Sequence, residues 1–299
     1  MERRSKAKLY KLISGVLIMI ILGICAVFFP DLLNEPDDSQ IRYTDYPFCV
    51  SFIDVGQGDC ALISCGEINI LVDGGEAEYS RAVIDFLKTN DVDKLDCYIL
   101  SHPHSDHIGA SSAILKEIKC DKVFTTYFSE FNIPTSYLYE NLIDTIYEYA
   151  DEAVAVEAGD SYTFGELEIN ILAPITECDD YNEMSIVFSA AYKDTTVLFT
   201  GDTTVPVEKQ MLESGSLPDV DLLKTAHHGS STSSYPAFIS EISPEIAVIS
   251  CGANNSYGHP HRETIELFDE SDIKYYRTDY SGTVYYYGDG IDMAVGESK

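Results

Sequence analysis

From Ser101 to Gly109 the chain reads Ser-His-Pro-His-Ser-Asp-His-Ile-Gly, so His102, His104, Asp106 and His107 place four metal-capable side chains within six residues. Imidazole nitrogen and carboxylate oxygen are the donors that zinc and related divalent ions take, with one position left open for water when the ion is catalytic. His102 and His104, at alternate positions, can chelate one ion. Asp106 and His107 can serve a second ion beside it. Two ions need a shared ligand, and a carboxylate with two oxygens suits. Asp202, which follows the apolar run Val197–Thr200, is the candidate. His228 would complete the second ion. Asp73, next to two glycines, would orient a ligand histidine through its other ring nitrogen. The chemistry of such a centre is hydrolysis by a metal-activated water. Asp106 and His227 are read as the catalytic residues, His227 stabilising or protonating in the transition state. His259 and His261 either contact the substrate or hold a turn through bonds to the backbone. Ser230, Ser231, Ser233 and Ser234 read as a flexible loop rather than as nucleophiles.

Ligands of this kind need rigid strand ends. Apolar runs at Phe48–Val55, Ala61–Ser64, Ile68–Val72, Leu95–Leu100, Lys122–Thr126, Ala153–Val156, Glu168–Leu172, Ser185–Tyr192, Thr196–Thr200, Asp221–Ala226 and Ile246–Ser250 predict strands. Helical spacing is expected at Ala77–Asn90, through Val83, Ile84 and Leu87. It is also expected at Ala110–Ile118, at Ser136–Tyr149, near Val207–Ser214, around Ala237–Ile242 and at Glu263–Asp269. The tyrosines of Ser136–Tyr149 read as a packing face, and Lys274–Tyr287 as a hairpin. Strands come first in pairs and then alternate with helices, in two rounds. That pattern predicts an α/β/β/α sandwich of two packed mixed sheets with helices outside. The polar clusters all follow strands, where layered folds build their sites.

With the motifs laid out in order, the chain resembles the metallo-β-lactamase-fold hydrolase superfamily. More narrowly it is similar to the soluble metallohydrolase domain of ComEC-type DNA-uptake competence proteins. The residues that carry the likeness are Phe52-Ile-Asp-Val-Gly-Gln-Gly-Asp59, Val72-Asp-Gly-Gly75, Ser101–Gly109, Thr200-Gly-Asp202, Leu223-Lys-Thr-Ala-His-His-Gly-Ser-Ser231 and Tyr257-Gly-His-Pro-His261. The likeness covers about residues 47 to 290. It implies two metal ions, zinc or manganese, and hydrolysis of a phosphodiester by a hydroxide bridging them. The multispan channel domain that accompanies this domain in competence proteins is not read in these 299 residues. One feature departs from the family pattern. The third histidine, expected between HxHxDH and the bridging aspartate, is missing, because no histidine lies between His107 and His227. Asn182 is one replacement, and an amide oxygen would shift preference from zinc towards manganese. His259 or His261, from another loop, is the other.

Composition narrows the substrate. The formal net charge is −31, and five of the 19 basic residues precede residue 12. A surface this acidic opposes tight binding of long nucleic acid, which needs clustered Lys and Arg. It also opposes attraction to an anionic membrane surface. Lys193, Lys209, Lys224 and Arg262 are too scattered for a basic patch. A small phosphodiester fits better than long DNA, with a DNA-uptake channel as a possible partner. Lactone or β-lactam hydrolysis on the same scaffold, or a non-catalytic binding module, are the alternatives.

Residues 1–11 are basic, and Leu12–Phe29 is an uncharged apolar stretch of 18 residues. That is the lower edge of a membrane span. The charge asymmetry predicts a single-pass anchor with a cytoplasmic N-terminus and an extracellular domain. The stretch is long for a cleaved signal peptide, and no small-x-small site follows it. Residues 30–46 read as a linker and 47–299 as the hydrolase domain. Eight cysteines without a CxxC read as buried thiols, with Cys60 and Cys65 the first pair to test for a bridge.

Overall fold

The computed structural model describes Arg42, residues 46–215 and residues 217–299. The expected anchor at Leu12–Phe29 and most of the linker lie outside the described residues. Residues Arg42–Lys299 form one compact unit. Its strands are β1 (Phe48–Phe52), β2 (Ala61–Cys65), β3 (Ile68–Val72), β4 (Lys94–Leu95), β5 (Cys97–Ile99), β6 (Lys119–Thr126), β7 (Ala150–Val156) and β8 (Ser161–Phe164). They continue with β9 (Leu167–Ala173), β10 (Val187–Tyr192), β11 (Thr195–Phe199), β12 (Leu222–Lys224), β13 (Ile246–Ile249), β14 (Lys274–Arg277), β15 (Val284–Gly288) and β16 (Met293–Glu297). The longer helices are α1 (Ser80–Thr89), α2 (Ser111–Glu117), α3 (Tyr137–Tyr149), α4 (Val205–Ser214), α5 (Pro236–Ile242) and α6 (Arg262–Glu270).

Two mixed sheets result. One runs β16-β15-β1-β2-β3-β5-β6-β4, with β7 also beside β6; the other runs β14-β13-β12-β11-β10-β9-β8. Their facing sides enclose an apolar core in which Phe48, Phe52, Ile63, Ile70, Phe188 and Phe199 are buried. Phe188 and Phe199, on neighbouring strands, stack with centroids 4.8 Å apart. Offset aromatic contacts of this kind add to the apolar burial that drives the layers together. A second core lies under α4, α5 and α6, where Val207, Met211, Phe238, Ile242 and Phe268 are buried with Leu198, Leu223 and Ala247. On the first sheet, Val83, Ile84 and Leu87 are the buried face of α1, as their spacing predicts. The expected α/β/β/α layering follows. Parallel pairing runs from β11 through β14. It also joins β3 to β5 and β5 to β6, so these strand ends open to the same kind of crevice.

Several expectations change. Lys274–Tyr287 is not a hairpin: β14 lies parallel to β13 in the second sheet, while β15 pairs β1 and β16 in the first. Alternation alone cannot tell two adjacent strands from two strands on different sheets. The short helical turn Thr278–Ser281 and Gly282, at φ 69°, carry the chain across. The true C-terminal hairpin is β15–β16, and neither β16 nor β8 was expected. Of the tyrosines of α3, Tyr139 is half-buried and packs edge-on against Phe128, but the others lie off its packing face. Leu142, Thr145 and Ile146 are buried, whereas Tyr137 and Tyr147 are 82% and 80% exposed. Among the described residues seven cysteines are free, all buried except the half-buried Cys178. Cys60 immediately precedes β2 and Cys65 ends it. Five residues of extended chain span about 16 Å, beyond any disulfide.

Candidate metal centre

The HxHxDH segment leaves the end of β5 as an extended stretch and turns into a short helix at Ser105–Ile108. His102 Nε2 and His104 Nδ1 lie 3.0 Å apart and face one point. Asp202 follows β11. Its approach depends on Gly201, at φ 48°, where a Cβ would fall 2.9 Å from Ser185 Cβ and 3.2 Å from Ser101 Cβ. Asp202 N donates to Ser185 Oγ at 3.1 Å. The carboxylate then lies between the histidines. Oδ1 is 3.2 Å from His107 Nε2, and Oδ2 is 3.5 Å from His228 Nε2, 3.7 Å from His227 Nε2 and 3.8 Å from His102 Nε2. Asp106 Oδ2 lies 3.3 Å from His228 Nε2. Ligand atoms of Asp106, His107, Asp202 and His228 all fall within 4.8 Å of one another.

Each buried histidine is held from behind. His107 Nδ1 lies 2.8 Å from Asp73 Oδ2. Asp73 in turn accepts from Ser101 N at 2.8 Å and Ser101 Oγ at 2.6 Å. His228 Nδ1 lies 3.0 Å from the Ser250 carbonyl and 3.3 Å from Asp59 Oδ1. Both rings therefore turn Nε2 towards Asp106 and Asp202, as metal-ligating histidines do. His227 and His228 sit in a sharp turn with φ of 49° and 54°.

Burial works against charge on His107, yet Asp202 and Asp73 hold its pKa well above the ordinary value. Asp202 and Asp59 do the same for His228. Burial wins at His102, whose pKa is lowered. Burial and the neighbouring imidazoles push His259 down to about 4. The carboxylates thus stabilise positive charge at the point where the ligand atoms meet. A divalent cation would displace protons from these ligands on binding. His107 Nε2, Asp202 Oδ1, His228 Nε2 and Asn182 Oδ1 are buried without a hydrogen-bond partner. Buried polar atoms are normally paired, so four orphaned donor atoms on this donor set fit bound cations.

A cavity of about 330 Å³ opens over these atoms, lined in part by His104, Asp106, Asn182, Asp202, His227 and His259. Gln57, Ser105, His228 and Tyr257 also line it. His259 packs against His227 and His228, with ring centroids 5.6 and 6.1 Å away. His261 does not join the cavity. Its Nδ1 accepts from Ser231 N at 2.9 Å and its Nε2 lies 3.2 Å from the Tyr257 carbonyl, so it holds a turn. The serine loop is packed: Ser230, Ser233 and Ser234 are buried, and Glu208 accepts from Ser234 N and Tyr235 N at 2.8 and 2.7 Å. Lys224 is no surface cation. It is buried, 2.7 Å from Asp59 Oδ2. Asp59, read from sequence as part of a turn, was not among the expected site residues; its place at the end of the motif Phe52–Asp59, one of those that carry the likeness, was the available signal.

Comparison with known proteins agrees with this geometry. Residues 53–123 match the family model of the metallo-beta-lactamase superfamily. The chain is 30% identical over 262 residues to ComE operon protein 3 of Bacillus subtilis, a match covering 79% of this chain and 32% of that protein. It is 29% identical over 238 residues to Competence protein ComA of Neisseria gonorrhoeae, covering 79% of this chain and 31% of that one. The chain thus spans about a third of the length of these relatives. Among solved structures, the metallo-beta-lactamase fold protein YhfI of Bacillus subtilis superposes with a TM-score of 0.51 at 14% identity, covering 84% of this chain and 100% of that one. The chain thus has the metallo-beta-lactamase fold, matches that superfamily's model over residues 53–123, and is similar to ComE operon protein 3 and Competence protein ComA over about a third of their length.

Proposed function

We propose that this protein is a metal-dependent phosphodiesterase, anchored in the cell membrane through Leu12–Phe29 with its hydrolase domain outside. The observation that carries the catalytic reading is the convergence of Asp106, His107, Asp202 and His228, whose ligand atoms lie within 4.8 Å while three of them lack any hydrogen-bond partner. His102, His104 and Asp202 would hold the first ion, with Asn182 supplying its amide oxygen in place of a third histidine. Asp106, His107, Asp202 and His228 would hold the second. When bound, zinc or manganese supplies a hydroxide at neutral pH and offsets charge on a phosphate. Burial keeps His227 below its ordinary pKa, and Thr232 Oγ1, 3.1 Å from its Nδ1, orients the ring. A neutral imidazole on the cavity wall can donate a hydrogen bond to the departing oxygen; proton delivery would need the protonated ring, which burial disfavours. His259 lies beside it and would contact the phosphate.

No Lys or Arg lines the cavity, which favours a small phosphodiester over a long polyanion. One of the relatives is a competence protein by name. A role beside a DNA-uptake channel would leave the grip on DNA to that partner. The test is hydrolysis by the full-length chain, with zinc or manganese, of bis-p-nitrophenyl phosphate, single-stranded DNA and a chromogenic lactam. Turnover of a phosphodiester is expected, with Asp202→Ala lowering it by at least about 100-fold because both ions lose a ligand. Absence of any phosphodiester hydrolysis at full metal occupancy overturns the reading, and turnover of the lactam alone replaces it. Protease treatment of intact cells should remove the domain; protection until lysis would contradict the outward placement.

A further inference from the structure

The turn Gly56-Gln57-Gly58-Asp59 offers no ligand to either ion, yet it is built into the second ion's surroundings on two sides. Asp59 N donates to the Asp106 carbonyl at 3.0 Å. Gly58, at φ 150°, lies so close that a Cβ there would meet the same carbonyl oxygen at 2.4 Å. On the other side, Gln57 Oε1 accepts from Gly252 N at 3.1 Å. The Asp59 carboxylate reaches under the ring of His228, with Oδ1 3.3 Å from Nδ1. Its second oxygen is held by Lys224 at 2.7 Å, and Lys224 also donates to the Thr225 carbonyl at 3.0 Å. Asp59 and Lys224 are 5% and 3% exposed. Neither charge would be tolerable at that depth without the other.

Asp59 stands behind His228 as Asp73 stands behind His107, but by charge rather than by a hydrogen bond: the Ser250 carbonyl, at 3.0 Å, is the hydrogen-bond partner of His228 Nδ1, and Asp59 Oδ1 adds an ion-pair contact at 3.3 Å. The neutralising group differs too: Ser101 donors for Asp73, a lysine ammonium for Asp59. The ammonium has a further consequence. Ligand atoms of Asp59, Asp73 and His107 lie within 4.8 Å of one another, a set able to hold a cation of its own. Lys224 already provides the positive charge there.

We propose that the Lys224–Asp59 ion pair is a positioning device for the second metal ion, setting the His228 ring through Nδ1 and the Asp106 backbone through the Asp59 amide. Lys224 occupies one oxygen of the carboxylate and balances its charge, and so keeps Asp59 from becoming a ligand itself. Asp59 and Lys224 are positioning residues, and Lys224 is withdrawn from any contact with substrate. The inference rests on the two-ion reading of the site and deepens it.

The test is metal titration of the full-length chain, manganese or zinc against a competing chromogenic chelator, together with thermal melting of the metal-free protein. The variants are Asp59→Asn, Lys224→Met and the double variant. The second equivalent of metal should weaken by about 10–100-fold in each single variant, the range typical for groups that orient metal-ligating histidines. The first equivalent should be unchanged. In the double variant the melting temperature should return towards wild type, since no unpaired charge remains, while the second equivalent stays weak. Recovery of metal affinity along with melting temperature would reduce the pair to a fold-stabilising ion pair and overturn the proposal. So would unchanged affinity in all three variants, or a wild type that takes up only one ion. If Lys224→Met does not fold, the near-isosteric Asp59→Asn carries the same comparison. Failure of the phosphodiesterase reading looks different: two-step metal uptake by the wild type without hydrolysis.

Discussion

All seven histidines of the chain fall in or beside one site, but they differ in what surrounds them. Carboxylates on both ring nitrogens mark His107 and His228 as cation-site residues. Backbone contacts on both nitrogens mark His261 as a brace. The same logic separates the acids. Asp106 and Asp202 line the cavity, while Asp73 is bonded to Ser101 and His107 behind it and Asp59 is paired there with Lys224 through one oxygen. Glu208 is a different case: burial raises its pKa from 4.5 to about 7, although the amides of Ser234 and Tyr235 lower it. A carboxyl with a raised folded-state pKa retains its proton while the unfolded chain has lost its own. Stability is therefore full below about pH 4.5 and is lost as pH rises through about 7. The loss is bounded by about 3 kcal/mol. Melting temperature against pH should show this decline in the wild type and a shallower one in Glu208→Gln. Parallel curves would assign the pH dependence to other groups.

Strands and the turns that follow them do the placing. Asp73, His102, Asp202 and His228 each follow a strand within a few residues, while His259 ends the longer loop after β13, and parallel pairing brings those strand ends to one side. The tightest of the turns is His227-His228-Gly229, with three consecutive left-handed residues, φ 49°, 54° and 81°. A Cβ at Gly229 would meet Pro260 Cβ at 2.6 Å. Gly229→Ala should cost about 1–3 kcal/mol from backbone strain, read as a lower denaturation midpoint of the metal-free chain, and should weaken metal uptake through His228. An unchanged midpoint would mean that the turn can relax without cost. Elements also account for the sequence-based errors. Tyr137 and Tyr147 obey helical spacing, but the aliphatic stripe of α3 offers Leu142 and Ile146 to the sheet, and the tyrosines are left outside. A period shows that a face exists; which neighbour it meets depends on where the sheet lies.

At the scale of the molecule, two sheets press their apolar faces together and the site sits at their strand ends. The acidic surface surrounds it. With a net charge of −31, self-repulsion opposes the compact state. Raising NaCl from about 0.01 to about 0.15 M shortens the screening length from about 30 to about 8 Å. The melting temperature of the metal-free protein should rise by a few degrees over that range. A flat response would show that the acids are locally compensated.

HxHxDH, its strand and the later Asp202 and His228 were legible because their signals are local: donor types at fixed spacing, and an apolar run that ends at a polar residue. The layer order followed from the alternation of strand and helix patterns, which reflects burial on one side or two. Three things came only with the tertiary structure. One is the division of β14 and β15 between sheets, since hydrogen-bond partners are chosen across the fold. Another is the placing of Asn182 and His259 on the cavity wall and of His261 off it, since loops converge only after the sheets pack. The last is the pairing of Asp59 with Lys224. Those residues are far apart in sequence, and each alone reads as an ordinary turn acid or surface cation. Burial forces the two charges together, and only the packed fold determines which charges are buried.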